Sequence, residues 1–202
     1  MRNTLAAAAI FVLAVNSAGA EEHRQLGAHV HGHGTLDIAL EGNRISLALE
    51  APGADIVGFE HAAASPVEIE QVAKARARLS DPLALFALPQ AAGCMALKAD
   101  VVLEDEDQDG HDHAGAHDHA DAHEHADAKG AAGAEHEHHH SAFHADYVLM
   151  CKDPSAFTKI HFTYFRTFAG AQSLTVNVIA AKGQSAFEVS RDNPLLDLQG
   201  LM

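Results

Sequence analysis

The segment from Glu104 to His140 limits the fold more than any other part of the chain. It carries ten histidines and twelve acidic residues against one base, Lys129, and has no large apolar side chain. Such a stretch buries too little apolar surface to offset the entropy of ordering it. It is expected to be a disordered insertion without ligand, dividing the folded part into two blocks that must build one core together.

Within the insertion a hexad runs three times from His111 to Ala128: His-Asp-His-Ala-Gly-Ala, His-Asp-His-Ala-Asp-Ala, His-Glu-His-Ala-Asp-Ala. After a glycine- and alanine-rich joint come Glu135-His136-Glu137-His138-His139-His140. In extended backbone, residues i and i+2 project to the same side, so His111 with His113, His117 with His119, and His123 with His125 each present two imidazoles together. Two pairs supply four nitrogens, the number that suits tetrahedral zinc. Asp112, Asp118 and Glu124 point the other way, where they can accept a second ring N–H or deepen the negative potential. Ten histidines correspond to roughly two or three ions at three or four nitrogens each. Because metal must order the segment as it binds, affinity per site should be modest, which suits capture and hand-over better than catalysis. Imidazole also serves nickel and copper, so Zn2+ leads with Ni2+ and Cu2+ as alternatives.

The amino terminus sets the compartment. Met1-Arg2, the apolar run Leu5 to Val15, and Ala18-Gly19-Ala20 have the three regions of a signal peptide over residues 1–20. About 11 apolar residues are too few for a membrane span, and no later stretch approaches the required ~18. The expected mature protein begins near Glu21, lies in the periplasm and is soluble. Its 28 acidic and 13 basic residues leave a net charge of -15, which disfavours nucleic acid and anionic lipid as partners and favours cations. An oxidising compartment favours joining the two cysteines, Cys94 and Cys151, by a disulfide expected to clamp the base of the insertion. Two separate buried thiols or a thiolate pair on a metal are the alternatives.

Periodicity supplies the fold class. Leu36, Ile38 and Leu40, then Ile45, Leu47 and Leu49 after Gly42-Asn43, form a hairpin with one buried face. Ser65-Pro66 with Glu68 three residues after the cap opens a helix of about 14 residues, with Val67, Ile69, Val72, Ala73, Arg76 and Leu79 at helical spacing. Asp81-Pro82 opens a second helical turn. Strands are expected from Met95 to Leu103, Tyr147 to Lys152, Lys159 to Phe168, Leu174 to Ala180 and, shorter, Ala186 to Val189. Short connections imply antiparallel pairing, hence an α+β fold: a mainly antiparallel sheet or sandwich with one or two helices. Residues 21–103 and 141–202 form its two halves, and residues 104–140 are the metal-binding loop.

A second candidate site lies nearer the fold. His29-Val30-His31-Gly32-His33-Gly34 runs into the first strand and, if extended, places three imidazoles on one side. Gly58-Phe59-Glu60-His61 adds a carboxylate and an imidazole, and His144 stands where the chain returns from the loop. His61 also reads as a lone histidine bonded to a backbone carbonyl or helix end, and His161 as an ordinary sheet residue. No catalytic constellation is evident; a hydrolase with zinc at His29, His31 and Glu60 would need an open metal position and a general base, and no His-Glu-x-x-His is present.

The combination of His29 to Gly34, the hairpin Leu36 to Glu50, Ala51-Pro52, Gly-Phe-Glu-His at 58–61, Cys94, the internal histidine-rich loop and His144-Ala145-Asp146-Tyr147 leading to Cys151 resembles the ZrgA family over nearly the whole mature chain. The resemblance implies a zinc-responsive periplasmic accessory protein that supports a zinc ABC importer and its solute-binding component.

Overall fold

The computed structural model of the chain describes residues 30–105 and 140–201. The expected signal peptide, His29 and the hexad repeats with His111, His113, His117, His119, His123, His125, His136, His138 and His139 lie outside them.

The hairpin forms as the alternation requires: β1 is His33–Glu41 and β2 is Arg44–Pro52. After β2 come a short helix α1, Gly53–Ile56, then α2, Pro66–Leu79, and the single turn α3, Pro82–Leu85. The start of α2 is fixed by a complete capping box: Glu68 N–H donates to Ser65 Oγ at 3.2 Å, and Ser65 N–H donates back to Glu68 Oε2 at 2.9 Å. Ala75 and Leu79 are its buried residues, with Val72 partly buried, whereas Val67 and Ile69 face solvent although the spacing placed them on the apolar stripe. A two-residue strand β3, Phe86–Ala87, leads to β4, Cys94–Asp105. The chain returns as β5, Ser141–Cys151, followed by β6, Lys159–Phe162, α4, Tyr164–Thr167, β7, Ser173–Ala180, β8, Gly183–Ser190, and β9, Leu195–Asp197.

The α+β class holds, with a six-stranded sheet in the order β4-β5-β2-β1-β7-β8 and a three-stranded sheet in the order β3-β6-β9. Pairing is antiparallel with one exception. β1 and β7 run parallel, so the large sheet is mixed. The first hairpin thus sits in the middle of the sheet, flanked by strands from the second block, which is how the two blocks share one core.

One expectation fails outright. Lys159 to Phe168 is not a continuous strand but β6 followed by α4. A strand would send Tyr164 and Phe165 to opposite faces and leave one in water, whereas the helical turn buries Tyr164, Phe165 and Phe168 together, each at most 2 % exposed. Thr163 holds the turn by donating its hydroxyl to the carbonyls of Ala84 and Leu85.

The core lies on one face of the large sheet. Leu36, Ile38, Leu47, Tyr147, Leu149 and Val176 point inward against the small sheet, α2 and α4. Phe86 of the small sheet meets Tyr147 of the large one edge-on, with ring centroids 6.1 Å apart. Among the described residues, most side chains on the opposite face of the large sheet are partly or fully exposed. No helix among the described residues is long and apolar enough to cross a membrane.

A disulfide joins Cys94 and Cys151. Its place differs from the expectation. Cys94 pairs with Cys151 at one end of the β4–β5 ladder, and Asp105 pairs with Ser141 at the other, where the insertion leaves. About 11 rungs at ~3.3 Å each put the bond ~35 Å from the insertion's base, which is closed by backbone pairing instead.

Candidate metal centre

The insertion leaves and re-enters the sheet beside the start of β1 and the end of β2, because Ser141 pairs with Asp105 and Ala142 pairs with Pro52. Glu60 occupies this corner. Its side chain is only 13 % exposed, and His140 Nδ1 donates to its Oε2 at 3.0 Å. His31 Nε2 lies 2.9 Å from the other oxygen, Oε1, at ion-pair distance but not aligned for a hydrogen bond, and Oε1 is closed off from solvent. One carboxylate thus stands between two imidazoles, one from ahead of the insertion in sequence and one from its last residue.

Backbone geometry puts His31 there. Gly32 adopts φ +84°, a conformation that favours glycine, and a Cβ added at this position would lie 3.0 Å from Gln172 Cγ. The Gly32 carbonyl accepts from Gln172 N–H and Ser173 N–H at 2.8 and 2.9 Å, while its own N–H donates to Asp55 Oδ1 at 2.7 Å. The turn sends the neighbouring histidines apart. His33 shares hydrogen bonds with Ser173 Oγ at 2.8 Å and Thr175 Oγ1 at 3.0 Å, so both its ring nitrogens are engaged across the β1–β7 pair. The segment turns at Gly32 instead of staying extended, so His31 and His33 do not share one side as expected, and His29 lies outside the described residues.

Asp55 went unnoticed in the sequence. It is 4 % exposed, and burial raises its carboxyl above the usual aspartate range, opposed by the Gly32 N–H and by the nearby His31. The loop before β7 closes over it: a Cβ on Gly170 would lie 2.6 Å from the Asp55 Cα, and Arg191 holds this loop by donating to the carbonyls of Phe168, Ala169 and Ala171. The available signal was a lone acid in the otherwise uncharged stretch Ala51 to Val57.

The remaining candidates point elsewhere. His61 donates to the Ala62 carbonyl at 3.1 Å, stacks on Phe59 at 4.9 Å and lies 3.8 Å from Glu68. Ser65 and Ala64 N–H groups and the Ser65 hydroxyl hold that glutamate below its ordinary pKa range. His144 lies on the open face of the sheet, with Glu50 and Val102 as cross-strand neighbours and Glu104 Oε2 3.5 Å from its Nε2. His161 is a strand residue opposite Ala87. Among the described residues no three histidine, cysteine, aspartate or glutamate side chains converge as an assembled metal site. At the corner the donors are hydrogen-bonded and ion-paired to one another. Two imidazoles and a carboxylate are nonetheless a donor set that zinc accepts, with the cation replacing the proton between His140 and Glu60.

Compared with known protein families, residues 28–198 match the one described as ZrgA family zinc uptake protein. No curated protein matches the chain. Since the match spans most of its length, the chain belongs to the ZrgA family of zinc uptake proteins, and its role is a zinc-related one.

Proposed function

We propose that the protein is a periplasmic, non-enzymatic zinc binder that captures or buffers the ion on the histidine-rich loop 104–140 and passes it to the solute-binding component of a zinc ABC importer. The ligands on the loop are His111, His113, His117, His119, His123, His125, His136, His138 and His139. His31, Glu60 and His140 are a staging point at its base. The observation that carries this reading is Glu60 held between His31 and His140 where the insertion meets the sheet. Family membership supports the metal. A nickel or copper sponge would use the same imidazoles, and competition calorimetry with the three ions separates the readings.

Zinc titration of the mature protein tests the proposal, comparing the full chain, a variant lacking residues 106–139, and His31→Ala with Glu60→Gln. The full chain should take several ions. The loop-deleted variant should keep one, which the double substitution then removes. Binding should weaken as pH falls through the histidine range near about 6.5, since protonated imidazole has no lone pair to donate. A full chain that takes up no zinc refutes the proposal, and a loop-deleted protein that takes up none refutes the staging point.

A further inference from the structure

The face of the large sheet turned away from the core has a charge pattern that zinc staging does not use. Alternation aligns Asp100 of β4 with Asp146 of β5, and Val102 with His144, Glu50 and Thr35 across the next rung. These side chains line a trough of about 410 Å³ that also includes Asp37 and Glu104. One cation stands at its edge, Lys98, which ion-pairs with Asp100 at 2.5 Å, and Asn177 donates to Asp37 at 2.8 Å, so among the described residues five carboxylates face a single lysine. The cations of α2, Lys74, Arg76 and Arg78, are exposed on the other side of the fold.

A solvated acidic face is common on an antiparallel sheet, but three features go beyond that. The trough is concave. His144 in its wall holds Nε2 closed off from solvent, 3.5 Å from Glu104 Oε2, which anchors that carboxylate at the trough's end. Val102 beside it is 48 % exposed, and Ile179 on the same face is 60 % exposed. The carboxylates span β4 to β1, three interstrand spacings or ~14 Å, too wide for one ion and suited to a protein surface. The trough also starts at Glu104, next to the rung where the insertion leaves.

We infer that this face is the docking surface for the protein that exchanges zinc with this one, and that the partner presents a convex, lysine- or arginine-bearing ridge. The inference rests on the zinc-handling reading. A partner ammonium in the trough would face Glu104 and Asp146 and compete with Lys98 for Asp100, while its neighbouring apolar atoms cover Val102. Such complementarity steers encounter and fixes orientation, which here places the partner's metal opening beside the insertion. A second copy docking through its basic α2 would be a heterologous contact that propagates into open chains instead of closing.

The test uses a strain lacking the gene, complemented with the full chain carrying Asp100→Lys and Asp146→Lys, or the control pair Glu70→Lys and Asp192→Lys on other exposed surfaces. Purified proteins are titrated with zinc and their oligomeric state is measured by light scattering. The expected result is zinc affinity within about twofold of wild type for both, with the trough variant needing about tenfold more zinc for half-maximal growth and the control complementing fully. The milder Asp100→Asn and Asp146→Asn pair should fall between, which separates loss of docking from misfolding. Full complementation by the trough variant overturns the inference. Loss of zinc affinity in that variant does so too, by making the trough an ion site. A wild-type oligomer that the trough substitutions dissociate would assign the face to a second copy. A gene deletion with no growth defect at limiting zinc refutes zinc handling itself.

Discussion

Replacing Asp55 separates the two roles of its carboxylate, accepting the Gly32 N–H and carrying a buried charge. The accepted bond is 2.7 Å long and fixes the turn that aims His31 at Glu60. Alanine leaves the Gly32 N–H without its partner at a buried position, which costs about 1–3 kcal/mol. Asparagine keeps an accepting Oδ1 and removes the charge. Because burial is the largest influence on this carboxyl and raises its pKa, the folded state binds the Asp55 proton more tightly than the unfolded chain does. The stability contribution of Asp55 is therefore fully present below the ordinary aspartate value and is lost as pH rises through the raised one. Asp55→Asn should stay within about 1 kcal/mol of wild type, and its stability relative to wild type should increase from about pH 4 to about pH 7.5. Urea unfolding of metal-free mature protein, followed by circular dichroism at both pH values, reads this directly. The reasoning is refuted if Asp55→Asn is as damaging as Asp55→Ala, or if the difference from wild type moves the other way with pH.

Opening the disulfide by Cys94→Ser with Cys151→Ser should lower stability by up to about 4 kcal/mol in the chain-entropy model for a separation of 57 residues, while zinc titration stays unchanged because the bond is far from the metal corner. Gly170→Ala forces a methyl against the Asp55 backbone and should cost about 1–3 kcal/mol, read as a lowered Tm, and should weaken zinc binding by the loop-deleted protein as the corner shifts. Ser65→Ala removes half of the capping box and should cost about 1 kcal/mol with no effect on zinc, a control for general destabilisation.

Where one periodicity dominated locally, the sequence was a good guide. Leu36 to Leu49 alternates cleanly around Gly42-Asn43, and Ser65 to Leu79 combines a cap, a proline and a helical repeat, so both elements formed as expected. At Tyr164-Phe165 burial on both sides of the chain favoured a helical turn that alternation alone could not indicate. The start of β5 was legible in Phe143, Ala145 and Tyr147 but was masked by the polar residues between them, which face the open side. Parallel pairing of β1 with β7 depends on which edge of the hairpin the second block reaches, and no local pattern records that. At the metal corner Glu60 and His31 stood out by residue type. That His33 would turn to Ser173 and Thr175 depended on Gly32 and on Asp55, a buried acid whose partner lies 23 residues away.

The covalent link at the far end of the β4–β5 ladder encloses the whole insertion in a ring. A protease that cuts within residues 106–139 would therefore yield two fragments that remain one molecule, held by the Cys94–Cys151 bond and the shared core, and that part only under reduction in denaturant. Nicked chains would run as a single band without reductant and as two with it. The scaffold can thus tolerate cuts in the insertion without losing either half of the sheet.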